Sequence, residues 1–264
     1  MTSSGVRLQV SDGVGTLTFD RPGSLNALDV AAKEGLLAGL AEVAEEPGVR
    51  CVVLTGTGRA FCVGQDLREH AQGLSSKSPE EVLGTVREHY NPIALALHRL
   101  DKPVVAAVNG VAAGAGASLA FLADVRLVAA SASFTLAFAG VGLSCDTGAS
   151  WTLPRLVGPT RALELMYTGR SVSAEEALAL GMATEVVPDA DFAARVQEYA
   201  ARLAAGPTLA FAAMRRAVAF AAAHPLAESL AVEAEGMRRT GASGDHRAAV
   251  EAFLAKQAAV FNGR

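Results

Sequence analysis

Two glycine-bearing turns and one aspartate are the parts of this 264-residue sequence best equipped for chemistry. The first turn, Ala60-Phe61-Cys62-Val63-Gly64-Gln65-Asp66-Leu67, follows an apolar run from Cys51 to Thr55. The second, Asn109 to Gly116, follows the β-branched run Pro103 to Val108 and leads into a small-residue helix from Ala117 to Leu122. A strand, a turn without bulky side chains and a helix start leave backbone N–H groups at a helix N-terminus, which suits an anion or a developing oxyanion. If the two strands are parallel neighbours, both turns emerge at one end of a sheet and their N–H groups converge. Gly110-x-x-x-Gly114 also matches a membrane helix-pairing pattern, but Asn109, Ser118 and the glycines interrupt the apolar run. A dinucleotide loop would need a third glycine that does not follow Gly114-Ala115-Gly116 at the required spacing. Close strand–helix packing without chemistry stays open for the glycines alone.

Asp146 lies in Gly142-Leu143-Ser144-Cys145-Asp146-Thr147-Gly148, ahead of a helix from Gly148 to Leu156. An aspartate followed by Thr-Gly-Ala is a good helix cap. Phe134, Leu136, Phe138, Val141 and Leu143 nearby predict an apolar setting instead, which raises a carboxyl pKa and suits a general base.

The elements that would position these groups alternate strand and helix. Val6 to Val10 and Val14 to Phe19 read as a hairpin through Asp12-Gly13. Asp29 caps a helix to about Ala44 with Leu36, Leu37, Leu40, Val43 and Ala44 on one face. Ser78-Pro79-Glu80-Glu81 is a capping box opening a helix to about Leu100, and Ser173 to Glu176 is a second. Further strands are expected at Asp124 to Ala129 and Thr184 to Val187. From Asp189 the pattern is almost wholly helical. The division expected is an α/β core over 1–190, carrying the ligand site, and a helical region over 191–264.

The composition is that of a soluble, helix-rich enzyme: 51% apolar, 5% aromatic, net charge −4. That balance gives no electrostatic footprint for nucleic acid, and Arg215-Arg216 and Arg238-Arg239 read as solvated helix faces. Cys51, Cys62 and Cys145 have no metal-like spacing, so neither a metal nor disulfides are expected and a reducing cytoplasm fits. The N-terminus carries no basic-then-apolar leader, and no membrane partner is expected.

Several blocks in order make the chain resemble the crotonase (enoyl-CoA hydratase/isomerase) superfamily over essentially its full length. They are Arg21-Pro22-x-x-x-Asn26-Ala27-Leu28, Ala60 to Leu67, Lys102-Pro103 through Asn109-Gly110, and Ala252-Phe253-Leu254-Ala255-Lys256. The resemblance implies a spiral of ββα units, a trimer or dimer of trimers, acyl-CoA substrates and no cofactor besides the CoA of the substrate. It places the two oxyanion donors on the N–H groups of Val63 and Ala115. By motif position, Ala27, Gln65, Asp66 and Leu67 line the CoA path, and Gly114, Phe138 and Leu143 border the acyl site. Arg21 and Lys256 are candidates for the CoA phosphates.

Crotonase hydratases use two glutamates, and the corresponding positions here hold Ser118 and Phe138, neither able to serve as that acid or base. Asp146 is the carboxylate that remains. One carboxylate can take a proton from one carbon and return it to another while an oxyanion hole holds the enolate, each donor being worth about 3–4 kcal/mol. That is isomerisation, and it needs no second acid. Asn109 to Leu119 and Asp146-x-Gly148-x-x-Trp151-x-Leu153-Pro154-Arg155 look most like the group of 1,2-epoxyphenylacetyl-CoA and Δ3,Δ2-enoyl-CoA isomerases. Cys145 and Ala149-Ser150 depart from that group's usual proline and Gly-Thr. The alternatives are an enoyl-CoA hydratase, a dehalogenase or hydrolase with Asp146 as nucleophile, for which neither His89 nor His98 sits at the spacing expected of the assisting histidine, and a non-catalytic acyl-CoA- or RNA-binding relative.

Overall fold

In the computed structural model, which describes residues 5–264, the β-branched runs pair into two sheets. The larger has six strands in the order β1 (Val6–Ser11), β2 (Val14–Phe19), β3 (Cys51–Gly56), β5 (Val104–Val108), β7 (Val125–Ala129) and β10 (Glu185–Val187). Only β1 and β2 run antiparallel; from β2 onward every pair is parallel. Every residue of β5 and the first four of β3 are buried, as expected of parallel strands covered on both faces.

The second sheet is built from strands of three residues: β4 (Ala60–Cys62), β6 (Val111–Ala113), β8 (Ser133–Thr135) and β9 (Ser171–Ser173). Each of β4 and β6 continues the chain just after a long strand, β3 or β5. The chain leaves the large sheet, bends and enters the small one. The turns expected directly after β3 and β5 therefore leave β4 and β6 instead. Short alanine-rich strands carry little periodic signal, which is why the sequence reads them as turn.

Helix α1 (Val30–Glu45) is capped by Asp29, whose carboxylate accepts from Ala32 N–H at 2.8 Å. Its inward stripe is Ala32, Lys33, Leu36, Gly39, Leu40 and Val43, while Ala44 faces out. Asp66 caps α2 (Leu67–Leu74), its carboxylate accepting from the N–H groups of Arg68 and Glu69. The capping box at Ser78 forms with both reciprocal bonds, but the helix expected from there to Leu100 is broken. It comprises α3 (Pro79–Leu83), a π-turn over Val86–Tyr90 and α4 (Asn91–Arg99). Pro92 has no N–H to donate, so the ladder slips into a wider turn just before it.

Helix α5 (Ala115–Leu122) is almost entirely buried, and α6 (Ala149–Val157) packs against it. Then come α7 (Pro159–Thr168) and α8 (Ala174–Ala179), followed, after β10, by α9 (Phe192–Ala204). That last helix lies on β2, β3 and β7 and covers the large sheet. Three outer helices follow: α10 (Thr208–Ala221), α11 (Leu226–Gly241) and α12 (Gly244–Leu254). Arg215 ties α10 to Asp124 at 2.7 Å, and Arg216 pairs with Asp101, so both face the body of the protein. Arg238 pairs with Glu235 on an exposed face.

Candidate active site

Strands β4 and β6 are parallel neighbours, with Ala60 opposite Val111 and Cys62 opposite Ala112, so both turns leave the same end of the small sheet. They meet closely. A Cβ placed on Gly64 would stand 3.0 Å from both Ala113 O and Ala115 N, and one on Gly116 would overlap Cys62 O. Gly64 also has φ +82°, a conformation in which any side chain is strained. Ala115 opens α5 behind the cap residue Gly114, so its N–H has no acceptor within the helix. Gly114 N–H donates to Thr135 O at 2.9 Å, which fixes this turn to β8.

Two side-chain amides, buried Asn26 and half-buried Asn109, brace the other turn. Asn26 donates to Thr57 O, Ala60 O and Phe61 O (3.0, 2.8 and 3.2 Å), and Asn109 donates to Gly58 O and Ala60 O while accepting from Gly56 N–H. Leu28 N–H donates to Gly64 O (2.7 Å) and Asp66 N–H to Leu28 O (3.0 Å), stitching the segment around Ala27 to the Val63–Asp66 turn. Both asparagines lie in blocks that carry the family resemblance, yet sequence reading assigned them no task.

Asp146 does not cap α6. The cap residue is Gly148 without a side-chain bond, and Ala149 N–H goes to the main-chain carbonyl of Asp146. The carboxylate accepts from Thr147 Oγ1 at 2.8 Å. Thr147 is buried with φ +52°, rare for a β-branched residue and characteristic of strained functional turns. Burial pushes the Asp146 pKa up, opposed by the Thr147 hydroxyl and by the charge of Lys33. Phe134, Leu136 and Phe138 are buried, whereas Val141 and Leu143, expected in the same apolar setting, are exposed.

Lys33, singled out by no motif, is 1% exposed. Its ammonium donates to Thr85 Oγ1 (2.7 Å) and Gln65 Oε1 (3.2 Å), and Tyr90 O–H donates to the same Gln65 oxygen at 2.8 Å. Burial lowers the Lys33 pKa, against the raising influence of Glu69, Asp29, Asp66 and Asp146. Burial raises that of Tyr90, with Cys62 and Asp146 adding to the effect. A helical pattern shows Lys33 on the stripe of Leu36, Leu40 and Val43, and that spacing is the signal that finds it.

The remaining candidate residues fall into different settings. Ser118 is fully buried and donates to Gly114 O at 3.0 Å, so its hydroxyl is held inside α5. Gln65 faces the Lys33 cluster. Arg21 pairs with Asp29 (2.9 Å) and Asp66 (3.1 Å) and donates to Ala27 O, acting as a brace among carboxylates. Burial opposes ionisation of Asp66, but the N–H groups of Glu69 and Arg68 and the Arg21 guanidinium hold its pKa below the usual range. Leu67 and Lys256 are exposed. His89 Nδ1 shares a 3.1 Å bond with Thr85 Oγ1, whereas His98 packs edge-on against Trp151 on another face. Burial pushes the Cys62 thiol up to about 12, leaving it inert beside Val63.

A family model described as enoyl-CoA hydratase/isomerase matches residues 9–264. A probable enoyl-CoA hydratase of Rhodobacter capsulatus is 43% identical over 100% of both chains. The 1,2-epoxyphenylacetyl-CoA isomerase of Escherichia coli K12 is 41% identical over 97% of both. The solved structure of a putative enoyl-CoA hydratase/isomerase from Mycobacterium abscessus superposes with a TM-score of 0.94 at 44% identity, covering 98% of this chain and 100% of the other.

Proposed function

The chain belongs to the enoyl-CoA hydratase/isomerase (crotonase) family, and from that premise we propose that it is an acyl-CoA isomerase. The observation that carries the reading is the state of Asp146: a carboxylate released from capping, with its pKa raised by burial. Ser118 and Phe138, at the positions where the family's hydratases hold glutamates, offer a helix-bound hydroxyl and a hydrocarbon ring. The N–H groups of Val63 and Ala115 hold the thioester oxygen as negative charge develops, Asp146 removes a proton beside the carbonyl system, and the same carboxyl returns it one double bond away. Rearrangement of a ring epoxide borne on the α-carbon of the thioester would use the same division of labour, the α-proton being taken by Asp146 and returned to the ring. The missing pair of glutamates supports this over hydration; the relatives' names divide, a probable hydratase at 43% identity and an epoxyphenylacetyl-CoA isomerase at 41%.

The enzyme is proposed to act in the cytoplasm, a compartment compatible with its free cysteines, and to assemble as a trimer or dimer of trimers. Met214, Val218, Met237, Phe253 and Leu254 are 61–81% exposed on the outer helices, an apolar surface of the kind that protein interfaces cover. Light scattering after gel filtration tests this: a monomer at micromolar concentration overturns it. The reaction is tested by offering 3-enoyl-CoA and 2-enoyl-CoA separately to the enzyme and to Asp146→Asn. The expected result is double-bond migration that the substitution abolishes. Rapid hydration of the 2-enoyl thioester, or chloride release from a chlorobenzoyl thioester, would replace the proposal with the corresponding alternative.

A further inference from the structure

Lys33 occupies a place in α1 where helical spacing calls for a hydrocarbon side chain. A buried ammonium is costly unless its hydrogen bonds are made, and a well-packed apolar residue would serve the core better. Its two acceptors, Thr85 Oγ1 and Gln65 Oε1, are both neutral, so two of its three N–H groups are accounted for without an ion pair. The acceptors are themselves oriented. Gln65 Oε1 is held from the other side by Tyr90 O–H, and Thr85, having accepted from Lys33, shares a second bond with His89 Nδ1. Tyr90 and His89 come from the π-turn, a distortion that recurs at functional sites.

This cluster borders a cavity of about 290 Å³, whose wall includes Lys33, Gln65, Glu69, Glu81, Thr85 and His89. Gln65 lies two residues beyond Val63, so the cavity begins beside the turn assigned to the thioester oxygen. Its nearest glutamates are engaged: Glu69 accepts from Val30 N–H at 3.1 Å and Glu81 closes the Ser78 cap. The wall also carries Glu88 and Lys77, so an ionic ligand group of either sign would face a like charge, whereas an uncharged oxygen can pair with the Lys33 donor.

We propose that Lys33, held in place by Gln65 and Thr85, is a specificity-determining residue that donates a charge-assisted hydrogen bond to an uncharged oxygen on the acyl group. The preferred substrates are then acyl-CoA thioesters whose acyl part carries a hydroxyl, ether, epoxide or ring carbonyl oxygen. This rests on the acyl-CoA isomerase reading and adds the class of acyl group. A site with a buried donor discriminates strongly against an analogue that leaves the donor unpaired.

The test compares 3-hexenoyl-CoA with 6-hydroxy-3-hexenoyl-CoA, the two differing by one oxygen. The ratio of kcat/KM should favour the hydroxylated compound by about tenfold or more, the size expected for a hydrogen bond to a charged group. Lys33→Met should collapse that ratio, and Thr85→Val, which frees the ammonium without removing it, should lower it partway. A ratio near one in the wild type, or a ratio unchanged in Lys33→Met, overturns the proposal. If neither compound is isomerised, the reaction reading falls, and calorimetric binding of hexanoyl-CoA and 6-hydroxyhexanoyl-CoA decides the subsite separately. If Lys33→Met does not fold, the Thr85→Val ratio decides.

Discussion

The two halves of the candidate site are built from different materials. On the oxyanion side, the Val63–Asp66 turn and the start of α5 present main-chain N–H groups, locked by glycines that admit no Cβ and by the amides of Asn26 and Asn109. On the acid/base side, Asp146 and Lys33 are side chains whose charge depends on burial and on each other. Main-chain donors do not titrate and keep their geometry whatever side chain they carry, so in the proposed reaction the first half would supply fixed electrostatic stabilisation. The second half would set which proton moves and at what pH. A family that keeps the first and exchanges residues in the second can change its reaction without changing its fold.

That contrast breaks most visibly under two substitutions. Asp146→Asn should lower kcat for isomerisation by about 10³-fold with little change in KM, within the range of general acid–base contributions. Steady-state kinetics checks it. Gly64→Ala attacks the other half, forcing a Cβ at φ +82° to within 3.0 Å of Ala115 N. Loss of one oxyanion donor predicts a fall in kcat of about 10²-fold, and the strained turn should also lower Tm. At pH 7 the first variant should melt at or slightly above the wild-type temperature and the second below it. Equal thermal damage in both would remove the distinction between a tuned side chain and a locked backbone.

The oxyanion half was largely legible in the sequence, because glycine and small-residue spacing reflects backbone geometry directly. Parallel neighbouring strands were expected and are present, although carried by the short strands β4 and β6, too brief and alanine-rich to show a period. The acid/base half was legible only in outline. Asp146 has the local pattern of a helix cap, and nothing local shows that Gly148 takes that place and leaves the carboxylate to Thr147. Lys33 sits on the apolar stripe of α1, but its partners Thr85 and Tyr90 lie 52 and 57 positions away, and the π-turn that aims them follows from Pro92. Asp66 and Glu69 have the spacing of a capping pair, and Asp66 does cap α2, but Glu69 turns to Val30 N–H instead of back to Asp66.

A smaller effect sharpens the account of Asp146. The Thr147 hydroxyl favours the ionised carboxylate, so Thr147→Val should raise the Asp146 pKa further. A base works only when ionised, so activity rises with pH through that pKa, and the acid limb of kcat should move to higher pH in the variant. A limb that stays in place or moves lower would mean that another group governs it.

The smallest effect concerns stability. Asp146 has a raised pKa in the folded state, so the folded protein holds its proton to higher pH than the unfolded chain does. Below the unfolded value near 3.8 both states are protonated, and the group contributes nothing. As pH rises through the folded value, ionisation favours the unfolded chain and leaves a fixed penalty above it. Asp146→Asn removes that penalty, so the variant should be more stable than the wild type at pH 7. The advantage should shrink as pH falls towards the unfolded value. Thermal melts at pH 7 and pH 4 check the sign. A wild type that gains stability over the variant on going from pH 4 to pH 7 would mean that Asp146 is a structural carboxylate satisfied by the fold, and the strained Thr147 turn would then need another purpose.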